Sequence, residues 1–145
     1  MIEFNYNDGG RSEAGYKGKS GDCVCRAIAI VTGKPYTEIF EFLANGNATQ
    51  RTRKGQKKRG KTAQSGINVT RKWFKDYMKS LGFKWTPLMH IGQGCKVHLK
   101  GDEIPKGRII VSLSGHYSAV IDGVVNDTYN PCRGGTRCVY GYWSL

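Results

Sequence analysis

The chain of 145 residues contains no stretch of about eighteen consecutive apolar residues, which excludes a transmembrane helix. Its start, Met1-Ile2-Glu3-Phe4-Asn5, lacks the basic and apolar regions of a secretory signal, so a cytoplasmic protein is expected. In a cytosol the five cysteines are expected to be reduced unless they hold a metal or carry out chemistry. There is no Walker loop and no dinucleotide fingerprint, so nothing calls for a nucleotide or any other cofactor. No internal repeat and no composition boundary divides the chain, and residues 1–145 read as one domain. That length buries roughly two thirds of the unfolded surface without staples. Acidic residues are outnumbered two to one: 11 against 23 Lys and Arg, a formal net charge of +12. Such an excess bears on solubility and partners, not on fold.

Much of the positive charge is local. Arg51, Arg53, Lys54, Lys57, Lys58, Arg59 and Lys61 follow one another with Gly55 and Gly60 among them and no apolar residue. A like-charge block of this kind predicts a flexible, solvated loop at about 46–66, and nucleic acid or an acidic protein surface is the partner it would suit. It contains no aromatic side chain on which a base would stack, which argues against single-strand recognition.

The central stretch runs from Ser20 to Gly33: Ser20-Gly21-Asp22-Cys23-Val24-Cys25-Arg26-Ala27-Ile28-Ala29-Ile30-Val31-Thr32-Gly33. Ser20 or Asp22 supplies a helix start and Gly33 a stop. A helix apolar on nearly every side belongs in the interior. Before it, the Phe4/Tyr6 alternation predicts a brief strand. After it, Thr37 is expected to cap a helix over Glu38 to Asn45 that Gly46 ends. A third helix is expected from near Asn68 to Gly82, with Val69, Trp73, Phe74, Tyr77, Met78 and Leu81 as its core stripe. The period then changes to two. Strands are expected at 83–86, 96–99, 108–114, 116–121, 124–129 and 137–143. Helices followed by an antiparallel sheet is an α+β order.

Two features point to chemistry. Cys23 heads the buried helix, where unpartnered N–H groups and the helix dipole stabilise a thiolate and make the sulfur nucleophilic. Cys25, one step further in, is expected to be an inert core thiol. Downstream, Asp122-Gly123 reads as a two-residue hairpin turn between 116–121 and 124–129. With Ile121 opposite Val124, Ser118 falls opposite Asp127 and His116 opposite Tyr129. His116, Ser118, Val120, Val125, Asp127 and Tyr129 then share one face, with His116 and Asp127 diagonal neighbours on it. A nucleophilic thiol, an imidazole and a carboxylate that orients it are what acyl transfer through cysteine requires. Cys95, His98 and His90 fit no closed zinc spacing, and Cys23-x-Cys25 is not a metal knuckle, so no metal is expected. Cys132 and Cys138 flank the loop before the last strand and stand near enough to pair in an oxidising compartment, which a cytosol is not.

Asp22-Cys23 followed by small and apolar residues, the later Gly-His-x-x-Ala-Val-Ile-Asp-Gly at 115–123, and Asp127 together resemble the papain-like cysteine peptidases, nearest the branch of the double-glycine bacteriocin-processing peptidases. Four stretches are more specifically similar to small phage and prophage proteins. These are Asp22-Cys23-x-x-Arg26-Ala27, Thr32-Gly33-x-x-Tyr36, Ile91-Gly92-x-Gly94-Cys95-Lys96-Val97-His98-Leu99 and Val139-Tyr140-Gly141-Tyr142-Trp143. The resemblance implies a papain-like fold with Cys23 as nucleophile, His116 as general base and acid, and Asp127 as the orienting group. It also implies a protein or peptide substrate, and phage origin with action in the host cytoplasm, on host machinery or host defence. Papain-like enzymes usually carry a glutamine shortly before the nucleophile to help hold the oxyanion; Lys17, Lys19, Ser20 and Asp22 stand there instead. A basic binding module on the same fold, without turnover, is the alternative.

Overall fold

The computed structural model describes residues 2–16, 22–49, 67, 69–89 and 92–145. The basic run from Arg51 to Lys61 lies outside them, as do Lys17, Lys19, Ser20, Asn68 and His90. Three helices, α1 (Cys23–Thr32), α2 (Tyr36–Thr49) and α3 (Lys72–Ser80), are joined by six strands: β1 (Glu3–Tyr6), β2 (Lys84–Pro87), β3 (Arg108–Leu113), β4 (His116–Ile121), β5 (Val124–Asp127) and β6 (Gly141–Ser144). The strands form one open sheet in the order β1-β5-β4-β3-β6-β2. The α+β class holds, with one correction: β1 lies parallel to β5, and only the remaining pairings are antiparallel. Ile2 anchors this edge in the core, and the Asn5 amide donates to Asn126 Oδ1 at 3.0 Å.

Every residue of α1 from Val24 to Val31 is buried. Gly33 ends the helix at φ 73°, its N–H bonded to Ala29 O, a left-handed cap that glycine adopts without strain. Alternation along β4 separates two cores. Tyr117 and Ala119 pack with α1, α2 and α3, whereas Val120 joins Ile109, Val111, Leu113 and Val125 on the opposite face. Phe74, Tyr77 and Met78 are the buried stripe of α3, which ends as expected at Gly82: Phe83 N–H reaches back to Met78 O and Gly82 N–H to Lys79 O.

Several boundaries differ from expectation. Thr37 does not cap α2, which begins at Tyr36, and Gly46 does not end it, since the helix continues to Thr49. Gly46 serves packing there: a Cβ on it would lie 2.4 Å from the Trp73 ring, so the ring occupies the space a side chain would need. α3 begins at Lys72, later than its periodicity suggests. Residues 96–99 form no sheet strand; they pair with the segment before β6 through Leu99 N–H to Arg137 O and Val139 N–H to Val97 O. The predicted strand 137–143 is thereby divided, its first part held by that pairing and only Gly141–Ser144 entering the sheet.

The same pairing corrects the cysteine reading. It sets Cys95 beside Cys138, and these two form a disulfide across 43 positions. Cys132 is left as a buried free thiol against the second core. Among the described residues, no helix is long and apolar enough to cross a membrane.

Candidate active site

Asp122 and Gly123, with φ of 50° and 83°, make the tight turn joining β4 to β5. The ladder pairs Ile121 with Val124, Val120 with Val125 and Ala119 with Asn126, the register anticipated from the turn. It stops there, and β5 ends at Asp127, two residues earlier than expected. At that end of the sheet His116 Nε2 lies 2.7 Å from Asp127 Oδ2. Ser118 Oγ donates to the same oxygen at 2.7 Å, and Thr128 N–H donates to Oδ1 at 2.7 Å. The Tyr129 ring lies against the imidazole, centroids 5.2 Å apart.

Cys23, the first residue of α1, lies near this group. Half-buried, it stands where the His116 side chain and the Tyr117 backbone N–H both act on its thiol. Since Nε2 is taken by Asp127, Nδ1 is the imidazole nitrogen left to face the sulfur. Burial pushes the Cys23 thiol up, but the His116 hydrogen bond and charge, the Tyr117 N–H and the Arg26 charge outweigh it, and the net shift is downward. His116 moves the other way. Burial disfavours its charged form, yet the hydrogen bonds and charges of Asp127 and Cys23 raise it to about 9. Burial also pushes Asp127 up, and its bonds to His116, Ser118 and Thr128 bring it below the ordinary carboxylate value. A lowered thiol beside a raised imidazole favours a thiolate–imidazolium pair.

Of the candidate residues, Cys23, His116 and Asp127 are brought together, and the seven basic-loop residues lie outside the described set. Cys25 lies away from the imidazole, fully buried against the Tyr36 backbone, its thiol pushed up to about 12 by burial and then by Asp22. Asp22 stands at the N-cap position but makes no side-chain cap bond. Its carboxylate instead binds Arg26, Arg11 at 3.0 Å and the Tyr36 hydroxyl. Arg26 in turn reaches Asp127 Oδ1 at 3.6 Å.

Spacing placed Ser118 on the face of His116 and Asp127, but the layer of Arg11, Asp22, Arg26 and Tyr36 behind them was not singled out as a charge network. One signal for it exists in the sequence: Asp22 and Arg26 stand four apart on a helix otherwise apolar, so neither has anywhere to go but toward the other in the interior. Compared with known proteins, the chain matches no family, no curated protein and no solved structure.

Proposed function

We propose that the chain is a papain-type thiol hydrolase acting on a peptide, isopeptide or related acyl bond. The observation that carries this reading is the imidazole of His116, bonded to Asp127 at 2.7 Å and acting on the Cys23 thiol that heads a buried helix. Cys23 thiolate attacks the acyl carbon and the carbonyl electron pair moves onto oxygen. When that oxyanion collapses, the bond to the leaving nitrogen breaks and the imidazolium gives its proton to the departing amine. Water then attacks the thioester, His116 takes the water proton, and cleavage of the C–S bond releases the acid and restores the thiolate. An amine in place of water makes the same sequence an acyl transfer.

Asp127 stays ionised, holds Nε2–H and keeps the ring turned toward the sulfur. The Cys23 N–H, at the first helical position, has no intrahelical partner and is one oxyanion donor. The absent upstream glutamine leaves the second donor to Ser20 or a lysine of 17–19, outside the described residues.

The test is the pH dependence of Cys23 alkylation by iodoacetamide, followed by peptide mass spectrometry. In the parent chain, labelling is expected well below the ordinary thiol value of about 8.5, and His116→Ala should return it to that value. A burst of nitrophenolate from 4-nitrophenyl acetate, close to one per chain and lost in Cys23→Ser, should accompany it. An ordinary thiol profile in the parent would leave only the scaffold, acting as a basic binding module.

A further inference from the structure

Pairing with Asp22 does not account for all of what Arg26 does. It is 3% exposed and sits in the first turn of a helix whose other buried residues carry no charge. Burying an arginine is costly unless its charge is balanced on site, and a structural partner alone would be met by Asp22 four residues earlier. The guanidinium nevertheless divides between two carboxylates: Nη1 on Asp22 Oδ1, and Nη2 at 3.6 Å from Asp127 Oδ1. That second oxygen belongs to the carboxylate whose other oxygen holds His116. Asp22 is itself kept in place by Arg11 and by the Tyr36 hydroxyl.

Resting on the proposed thiol hydrolase, we infer that Arg26 is the positioning residue of the site, a fork that fixes the Asp127 carboxylate behind His116 and places positive charge beneath the Cys23 thiolate. A guanidinium suits this because its charge is spread over a planar fork, so Nη1 hydrogen-bonds Asp22 while Nη2 stands in ion-pair contact with Asp127; a lysine has one nitrogen and serves one carboxylate well. The charged and titratable groups around it come from every packed element. Cys23 and Cys25 of α1 and the N-cap Asp22 lie beside it, Arg11 and Tyr36 close its Asp22 side, and Asp127, His116 and Tyr129 stand at the sheet end. Removing the positive charge makes the thiolate harder to form, so the acid limb of Cys23 reactivity must move to higher pH.

The experiment compares Arg26→Gln and Arg26→Lys with the parent, each checked for a native circular-dichroism spectrum. It reads the pH profile of Cys23 alkylation by iodoacetamide and the urea midpoint. In Arg26→Gln the acid limb is expected to rise by about one unit, so that the rate at pH 6 falls about tenfold. Arg26→Lys should fall between the two, about threefold down. If Arg26→Gln does not fold, Arg26→Lys decides the matter alone. A purely structural arginine would lower the urea midpoint and leave the profile of the folded variant superimposed on the parent, and that result overturns the inference. An ordinary thiol profile in the parent itself would instead overturn the hydrolase reading, so the two failures are distinguishable.

Discussion

A thiol at the start of a buried helix is chemically unremarkable until something accepts its proton and holds the resulting pair. Cys23 and Cys25 make that comparison within one turn. Both feel burial as the largest influence, yet Cys25 is pushed up to about 12 while Cys23 is brought down. The difference is the neighbour: an imidazole and a strand N–H for Cys23, the Asp22 carboxylate for Cys25. Asp22 has a structural task that its place at the start of α1, beside Cys23, conceals. It is 1% exposed and shares its one negative charge between Arg26 and Arg11. Asp22→Asn leaves two guanidinium groups in or near the core without that compensation, and breaking a buried pair of this kind typically costs about 3–5 kcal/mol. The urea midpoint should fall accordingly; an unchanged midpoint would mean the pair contributes no net stability.

At the level of elements, the hairpin is the part of the site that sequence spacing specifies most tightly. Asp122-Gly123 dictates the turn, the turn dictates the register, and the register puts His116, Ser118 and Asp127 on one face. Helix α2 shows the opposite situation. Gly46 has every appearance of a stop, yet the helix passes through it because the Trp73 ring from α3 lies where a Cβ would be. Gly46→Ala should therefore destabilise the chain, by about 1–3 kcal/mol from overpacking, although alanine is the better helix former. Chemical denaturation settles the sign: a stabilised Gly46→Ala would mean that propensity and not ring contact governs the position. Residues 96–99 failed as a sheet strand for a related reason. Their alternation is real, but the partner that satisfies it is the segment before β6, tied by the Cys95–Cys138 disulfide.

Across the whole molecule, the coupled dyad has a consequence for stability against pH. His116 holds its proton to about 9 in the folded chain against 6.5 as a free group. Taken alone, that contribution is complete below pH 6.5 and is lost as pH rises toward 9. Cys23, lowered from 9.0, contributes in the opposite direction, fully above 9.0 and less as pH falls. While the folded chain carries the thiolate–imidazolium pair and the unfolded chain a thiol and neutral imidazole, each binds one proton, and stability is flat with pH. Cys23→Ser removes one arm. From pH 6.5 upward, until His116 loses its proton, the variant should lose about 1.4 kcal/mol per pH unit relative to the parent. Urea midpoints at pH 6 and pH 9 test this, and identical slopes in the two chains would contradict an ion-paired dyad.

Hydrophobic period, glycine stops and turn residues are local properties, so the sequence alone determined the buried α1, the stripe of α3, the β4–β5 register and the candidacy of Cys23, His116 and Asp127. What it did not contain is the relation between elements far apart along the chain. The approach of Cys23 to His116 is set by the packing of α1 on β4, elements more than eighty residues apart. The parallel edge strand β1, the Cys95–Cys138 pairing and the division of the Arg26 guanidinium between Asp22 and Asp127 likewise arise only on folding. Each brings together groups whose separation in sequence carries no periodic signal, and only the burial of both cores at once fixes where they meet.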